Sequence, residues 1–471
     1  MLEVTASEVA AELESSGQMI VVLDDDPTGT QTVSGVPVLT TFEREDLRWG
    51  LRQDAPACYV LTNTRSLDPA RAGERNREVM AALVEASRAE GVRYVVISRS
   101  DSTLRGHYPL ETDVLTSELA RLERLVVDGT VIVPAYIDGG RVTLGSVHYL
   151  TTDEGLLAVG ESEFAKDATF GFRSSDLRDY VEEKTRGRWR ASEVATITLW
   201  DLREKGVEEV AAMLASLRNG RPVVVDAICD ADLRVLALAA LNAERSGATL
   251  LYRTGPSFVR ARAGLEARPA LTSAEVSTIR LRGVASPRSR LVSEHGLVVI
   301  GSHVAQTTRQ LEALRSQDGI TFLDLDVARL LDSRKRYGAL REAASIAVTE
   351  LGRADVVLAT SRQVVTGKDA DESLSIARSV SACLVEIVKE VTQRVSPAFV
   401  IAKGGITSSD VATAGLSIRR ALVRGTLLPG IVSLWEPVDG TLAGIPFVVF
   451  AGNVGDDGAL VSVLATLRGR T

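Results

Sequence analysis

The sequence predicts an α/β protein of two domains, each built on a mainly parallel sheet flanked by helices. Three observations predict it. Short apolar, β-branched runs alternate with helical patterns along most of the chain, the signature of strand–helix–strand units. The 471 residues exceed one ordinary core, since domains average roughly 150 residues. A stretch rich in Arg, Ser and Pro, Ala261–Ser293, separates two sets of strand-like runs. The boundary is placed near residue 285, giving domains of 1–285 and 286–471.

The first set of strands is Met19–Leu23, Cys58–Thr62, Tyr94–Ser98, Val131–Pro134 and Val223–Asp226. Pro69–Glu90 reads as a helix, with Pro69 in its first turn and Gly91 as its stop. Asp153–Gly220 carries the weakest pattern, and its tail, Ala191–Leu217, reads as one strand and one helix. The second set is Leu297–Ile300, Thr321–Leu323, Val356–Ala359, Phe399–Ala402 and Phe447–Phe450.

Composition narrows the class of protein. Apolar residues at 45% and charged residues at 25% fit a folded, soluble chain rather than a disordered one. A net charge of −8 offers no global basic face for nucleic acid. Cys58, Cys229 and Cys383 form no C-x-x-C pair and sit in apolar runs, so they are expected to be buried small hydrophobes. His107, His148, His295 and His303 lack metal-ligand spacing, and the metal ligands, if any, are unknown. The N-terminus has no basic region before an apolar one, and no run of about 18 apolar residues occurs, so neither a signal peptide nor membrane contact is expected. The expected location is cytoplasmic, and a homo-oligomer is left open.

Chemistry concentrates in loops that follow strands. In the first half these are DDDPTGTQT after Leu23, NTRSLDP after Thr62, RSDSTLRGHYP after Ser98 and AYIDGGR after Pro134. In a parallel sheet the carboxyl ends of strands form one rim, where ligands bind. In an extended chain Asp24 and Asp26 would share a face, and two carboxylates ~5 Å apart repel by about 3 kcal/mol at an effective dielectric near 20. A metal ion, arginine partners, a raised pKa or hydration must offset this. An aspartate general base for a hydroxyl nucleophile fits, as does a plain solvated turn. Arg99 and Arg105, with Arg65 and Arg141, suit a small carboxylate, and Pro109 opens a helix whose first N–H groups do likewise.

In the second half three strands run into small, glycine-bearing loops: Gly301-Ser302-His303, Lys403 to Asp410, and Ala451 to Gly458. Glycine lets backbone N–H groups approach a phosphate. No Walker A loop and no G-x-G-x-x-G at a strand end is present, which disfavours a nicotinamide dehydrogenase.

Taken in order, these motifs resemble those of the four-carbon acid sugar kinase family, formerly a domain of unknown function. The resemblance rests on Asp25-Asp26-Pro27-Thr28-Gly29 (D-D-x-T-G), Asp101-Ser102-Thr103-Leu104-Arg105-Gly106 (D-S-T-x-R-G), and Pro134-Ala135 with Gly140-Arg141. It continues in Gly301-Ser302, Gly404-Gly405-Ile406-Thr407 (G-G-x-T) and Gly452-Asn453-Val454-Gly455 (G-N-x-G), so it spans nearly the whole chain. It implies transfer of the γ-phosphoryl group of ATP, with Mg²⁺, to a hydroxyl of a sugar acid such as threonate, erythronate or 3-oxo-tetronate. It implies an active site in the cleft between an N-terminal sugar-acid domain and a C-terminal ATP domain. Asp25 and Asp26 would be catalytic. Asp24, Thr28, Arg65, Asp101, Ser102, Thr103, Arg105, Gly106 and Arg141 would face the sugar acid. Ser302, Gly404, Gly405, Ile406, Thr407, Gly452 and Asn453 would contact ATP. Ile406 stands where many members have Glu, and the first motif is longer than usual, which points to a subgroup with a different acid, such as 3-oxo-isoapionate. A metal-dependent aldolase or phosphohydrolase, and a non-catalytic ligand-binding or interaction protein, are the alternatives.

Overall fold

The computed structural model describes residues 3–284, 291–361 and 370–469. Residues 285–290 of the RLRGVASPRSR run, and with them the boundary placed from sequence, lie outside the described residues. The chain forms two compact units, Met1–Ala267 and Arg268–Thr471. Among the described residues no helix is long and apolar enough to cross a membrane.

The strands of the first unit are β1 (Gln18–Asp24), β2 (Val36–Leu39), β3 (Ala57–Leu61), β4 (Arg93–Arg99), β5 (Gly129–Val133), β6 (Arg141–Leu144), β7 (Val147–Thr152), β8 (Gly155–Ala158), β9 (Ala195–Ile197), β10 (Arg221–Val225) and β11 (Leu250–Thr254). Apart from β6–β8, they join one sheet in the order β2-β3-β1-β4-β11-β5-β10-β9, parallel throughout. β6, β7 and β8 make a separate antiparallel sheet. In β1 every residue after Gln18 is buried, as a parallel strand covered on both faces requires.

The helix Pro69–Glu90 forms over the range the sequence predicts. Asp68 caps its start by accepting from the Arg71 N–H, and Gly91 ends it at φ 67°. Its Val79, Met80 and Leu83 pack on Val21, Val60 and Val96 of the sheet. β2, β11 and β6–β8 were not read from the sequence. β11 is the instructive omission, because Arg253 interrupts its apolar run and is nevertheless buried. Cys58 and Cys383 are buried as expected, whereas Cys229 is only half-buried, because it stands at the N-cap of the helix Asp230–Arg245.

The second unit contains β12 (Leu291–Val292), β13 (Leu297–Ile300), β14 (Ile320–Leu325), β15 (Asp355–Thr360), β16 (Val395–Ser396), β17 (Val400–Lys403), β18 (Arg420–Leu428), β19 (Val432–Pro437) and β20 (Phe447–Phe450). Its sheet runs β14-β15-β13-β17-β20-β19-β18. The pairings are parallel as far as β20, after which β19 and β18 are antiparallel. Helices Ala305–Arg315 and Ala459–Arg468 press Leu311, Leu314, Leu460 and Leu464 onto Val298, Ile300, Ile401 and Phe450.

Both sheets reverse direction of growth near their first strand. In the first unit β2 and β3 lie to one side of β1 and β4 to the other. In the second, β14 and β15 lie to one side of β13 and β17 to the other. Crossovers that leave in opposite directions open a crevice at the carboxyl ends of the flanking strands, and ligands bind there.

Candidate active site

The crevice of the first unit is bounded by the ends of β1 and β4, where Asp24 and Arg99 face each other in register. Backbone bonds tie three loops together here. The Asp25 N–H donates to the Arg99 carbonyl (3.3 Å), the Arg65 N–H to the Asp25 carbonyl (3.3 Å) and the Ser100 N–H to the Thr254 carbonyl (2.9 Å).

The three successive aspartates have different environments. Asp24 is buried, takes Arg99 Nη1 at 2.9 Å, and lies under Gly29, where an added Cβ would stand 1.8 Å from Oδ2. Burial pushes its carboxyl up to about 7 against the pull of Arg99. Asp25 is also buried. Its Oδ1 receives Arg65 Nη2 at 3.0 Å and its Oδ2 the Ser100 hydroxyl at 2.9 Å. Burial lifts it above the ordinary carboxylate value; Arg65 opposes the lift and the negative charge of Glu111 adds to it. Asp26 caps the turn Pro27–Thr32 by accepting from the Thr28 N–H (2.8 Å) and pairs with Arg65 at 3.2 Å. Burial would raise Asp26 too, but Arg65 and Thr28 outweigh it and hold the carboxyl low.

The like-charge pair anticipated from the pleat was Asp24 with Asp26. The structure instead turns Asp25 and Asp26 onto one guanidinium, because the strand ends at Asp24 and the alternation ends with it. Of the offsets considered, the structure shows arginine partners for all three aspartates and raised pKa values for Asp24 and Asp25.

Arg65 also reaches Asp101 at 3.6 Å. Asp101 takes Arg105 Nε at 2.6 Å and the Thr103 hydroxyl at 2.5 Å, so burial is outweighed and its carboxyl is held well below the usual range. Asp24, Asp25, Asp26, Thr28, Arg65, Asp101, Thr103 and Arg105 are therefore brought together. Gly106 packs against this group: a Cβ there would meet Ser100 Oγ at 2.7 Å and Asp25 Oδ2 at 3.2 Å. Ser102 contributes its carbonyl to His148 Nε2 (2.7 Å). Arg141 stands apart from the ion pairs, over the Tyr136 ring at 5.4 Å.

Sequence reasoning missed the support beneath Asp25. Arg253 donates to Ser100 Oγ (2.7 Å), Ser98 Oγ (2.8 Å) and Glu111 Oε2 (2.5 Å), and Glu111 also takes the Thr64 hydroxyl. The helix begins at Leu110, after Pro109, as expected, and Glu111 of this chain supplies a carboxylate in its first turn. The one available signal was a charged residue inside an apolar run, Leu-Leu-Tyr-Arg253.

The crevice of the second unit lies between the ends of β13 and β17, where Ile300 pairs with Lys403. Its glycines allow close approach. Gly404 has φ 117°, and a Cβ on it would touch Ser302 Cβ and Thr407 Oγ1, each at 3.2 Å. A Cβ on Gly452 would stand 2.6 Å from Ser302 Oγ. Ser302, Gly404, Thr407 and Gly452 thus converge, and Gly405 starts the helix Gly405–Asp410. Ile406 is exposed beside them, and Asn453 is exposed beyond Gly452. Lys403, absent from the residues chosen by sequence, is fully buried in this crevice.

Comparison with known proteins agrees with this division. A sugar-binding N-terminal domain family matches residues 20–262, and a nucleotide-binding C-terminal domain family matches residues 297–460. No curated protein sequence matches the chain. The fold is similar to that of a putative tRNA synthase from Salmonella typhimurium LT2, at 18% identity and a TM-score of 0.66, over 94% of this chain and 98% of that one. It is also similar to a Haemophilus influenzae protein of a domain-of-unknown-function family, at 18% identity and a TM-score of 0.60, over 95% of this chain and all of that one. With a sugar-binding domain covering over half its length, a nucleotide-binding domain after it, and the motifs in matching order, the chain belongs to the four-carbon acid sugar kinase family.

Proposed function

We propose that this protein transfers the γ-phosphoryl group of ATP to a hydroxyl of a small sugar acid, of four carbons or similar size. The observation that carries this reading is Asp25, a buried carboxylate with a raised pKa among arginines, in a sugar-binding domain followed by a nucleotide-binding one. Phosphoryl transfer asks little covalent work of a protein; alignment, a proton acceptor and neutralisation of phosphate charge do most of it.

Asp25 is the better base of the two catalytic candidates. A base working near neutrality needs a raised pKa, and Asp26 is instead held low by Arg65 and Thr28. Arg65 fixes the Asp25 carboxylate, and the Ser100 hydroxyl fixes its second oxygen. Arg105 and Arg141, both partly exposed, are suited to the substrate carboxylate. In the second unit the amides around Ser302, Gly404 and Gly452 cradle the phosphates.

Among the described residues no three His, Cys, Asp or Glu side chains are grouped to hold a metal ion. The aspartates are engaged by arginines, so no residue is assigned to Mg²⁺, which binds nucleotide phosphates without a protein cage.

The test is ADP release from ATP and Mg²⁺ with a panel of four- and five-carbon sugar acids. Release with at least one acid is expected. Silence with every acid, in protein that binds ATP, would sink the reading. Turnover of an acid without nucleotide would point to an aldolase or phosphohydrolase instead.

A further inference from the structure

Lys403 is the last residue of β17, beside the reversal point of the second sheet, with Ile300 of β13 and Phe450 of β20 as its register partners. Its side chain has no solvent exposure. Nζ donates to the Ala451 carbonyl at 3.0 Å and lies 3.7 Å from the centroid of the Phe450 ring. One carbonyl and one ring face are poor compensation for a buried ammonium with three donors.

Among the described residues, the charged groups on the neighbouring elements are directed elsewhere. His303 bonds Thr360 Oγ1 (3.3 Å) and Asp410 takes the Ser381 hydroxyl. Arg309 pairs with Asp457, Arg315 with Glu312 and Asp324, and Arg468 with Asp355. Asp456 is exposed beyond Gly455. Burial pushes Lys403 down to about 7, with no charged neighbour contributing among the described residues.

The contact with Ala451 gives this lysine a structural output. A peptide group is planar and trans, so drawing the Ala451 carbonyl inward onto Nζ turns the Gly452 N–H the opposite way. Gly452 is the residue whose missing Cβ leaves room beside Ser302. A charged Lys403 therefore holds one amide of the cradle outward and adds positive potential behind it.

We propose that Lys403 is a positioning residue of the nucleotide site, taking up a proton from solvent when a polyphosphate occupies the loops around Ser302, Gly404 and Gly452. This rests on the nucleotide half of the proposed function and deepens it. The sign follows from linkage. The phosphates favour the ammonium, so its pKa is higher in the complex than in the free protein. Between those two values binding absorbs a proton, and affinity falls as pH rises.

The experiment is calorimetric titration of the full chain with the non-hydrolysable ATP analogue AMP-PNP and Mg²⁺, in buffers of low and high ionisation enthalpy. Wild type is expected to absorb a large fraction of a proton per nucleotide at pH 8, with Kd rising roughly tenfold from pH 7 to pH 9. Lys403→Met should bind more weakly and lose both the uptake and the pH dependence; Lys403→Arg should bind with neither. Independently of any variant, ¹³Cε-lysine NMR of the wild type, which has seven lysines, should show one resonance titrating near neutrality and moving up with AMP-PNP. Nucleotide binding with no uptake, uptake that survives in Lys403→Met, or seven lysines all titrating near 10 would each overturn the proposal. No nucleotide binding by wild type would remove this proposal and the kinase reading together. Silence toward every sugar acid with the proton linkage intact would remove only the kinase reading.

Discussion

Asp25→Asn is expected to lower kcat by roughly two to four orders of magnitude, the span of a general base, while leaving the Kd for ATP unchanged. The amide keeps the shape and a hydrogen bond to Ser100 but cannot accept the hydroxyl proton. In the wild type the same group should set the acid limb of the kcat profile. Because burial raises the Asp25 pKa, activity should fall with decreasing pH earlier than an ordinary carboxylate would allow. The limb should vanish in the variant. Asp26→Asn should behave differently, since its carboxylate is held low and ties the Thr28 turn to Arg65. Its main effect should fall on KM for the acid. Near-wild-type turnover in Asp25→Asn, with a large loss in Asp26→Asn, would reverse the assignment.

The second large effect is expected at Arg65. One guanidinium serves Asp25 at 3.0 Å, Asp26 at 3.2 Å and Asp101 at 3.6 Å, all buried or nearly so. Arg65→Met should destabilise the protein by roughly 3–5 kcal/mol, the cost of stripping the partner from buried charge, and abolish turnover. The pH dependence is part of the expectation. Without Arg65 the carboxylate pKa values rise in the native state but not in the unfolded one. The native variant then holds more protons than the unfolded chain, so its stability drops as pH rises through and above the usual carboxylate range. Melting temperatures at pH 5 and pH 8 should therefore differ from wild type less at the lower pH. An equal gap at both would show that Arg65 acts by packing rather than by charge.

The central strands and their loops were legible because the relevant physics is local. A parallel strand buried on both faces must be a continuous apolar run, and β1, β13 and β20 read that way. Polar residues clustered just past such runs mark the rim, which is why Asp24–Asp26, Asp101–Gly106 and Gly404–Thr407 were found. The partners under the rim were not legible. Glu111 and Arg253 are 142 positions apart, and only the sheet order brings them together. Lys403 was read as the first residue of a glycine-bearing loop, whereas it closes β17 and is wholly covered. The hairpin of β18 and β19 was not read; register shifts between Val423 and Gly425 and between Thr426 and Leu428 break the period-two pattern by which a strand is recognised.

The placement of β11 constrains how a nascent chain can mature. This strand is the last of the first unit to leave the ribosome, yet it lies between β4 and β5, which precede it by more than a hundred residues. A chain released at residue 245 would have a missing slat in the middle of its sheet, with β4 and β5 unbridged. It would also lack Arg253, so Glu111 would have no cation beneath Asp25. The aspartate cluster is therefore assembled late, by closure of a distant segment. Until that moment two open strand edges are exposed to misassociation.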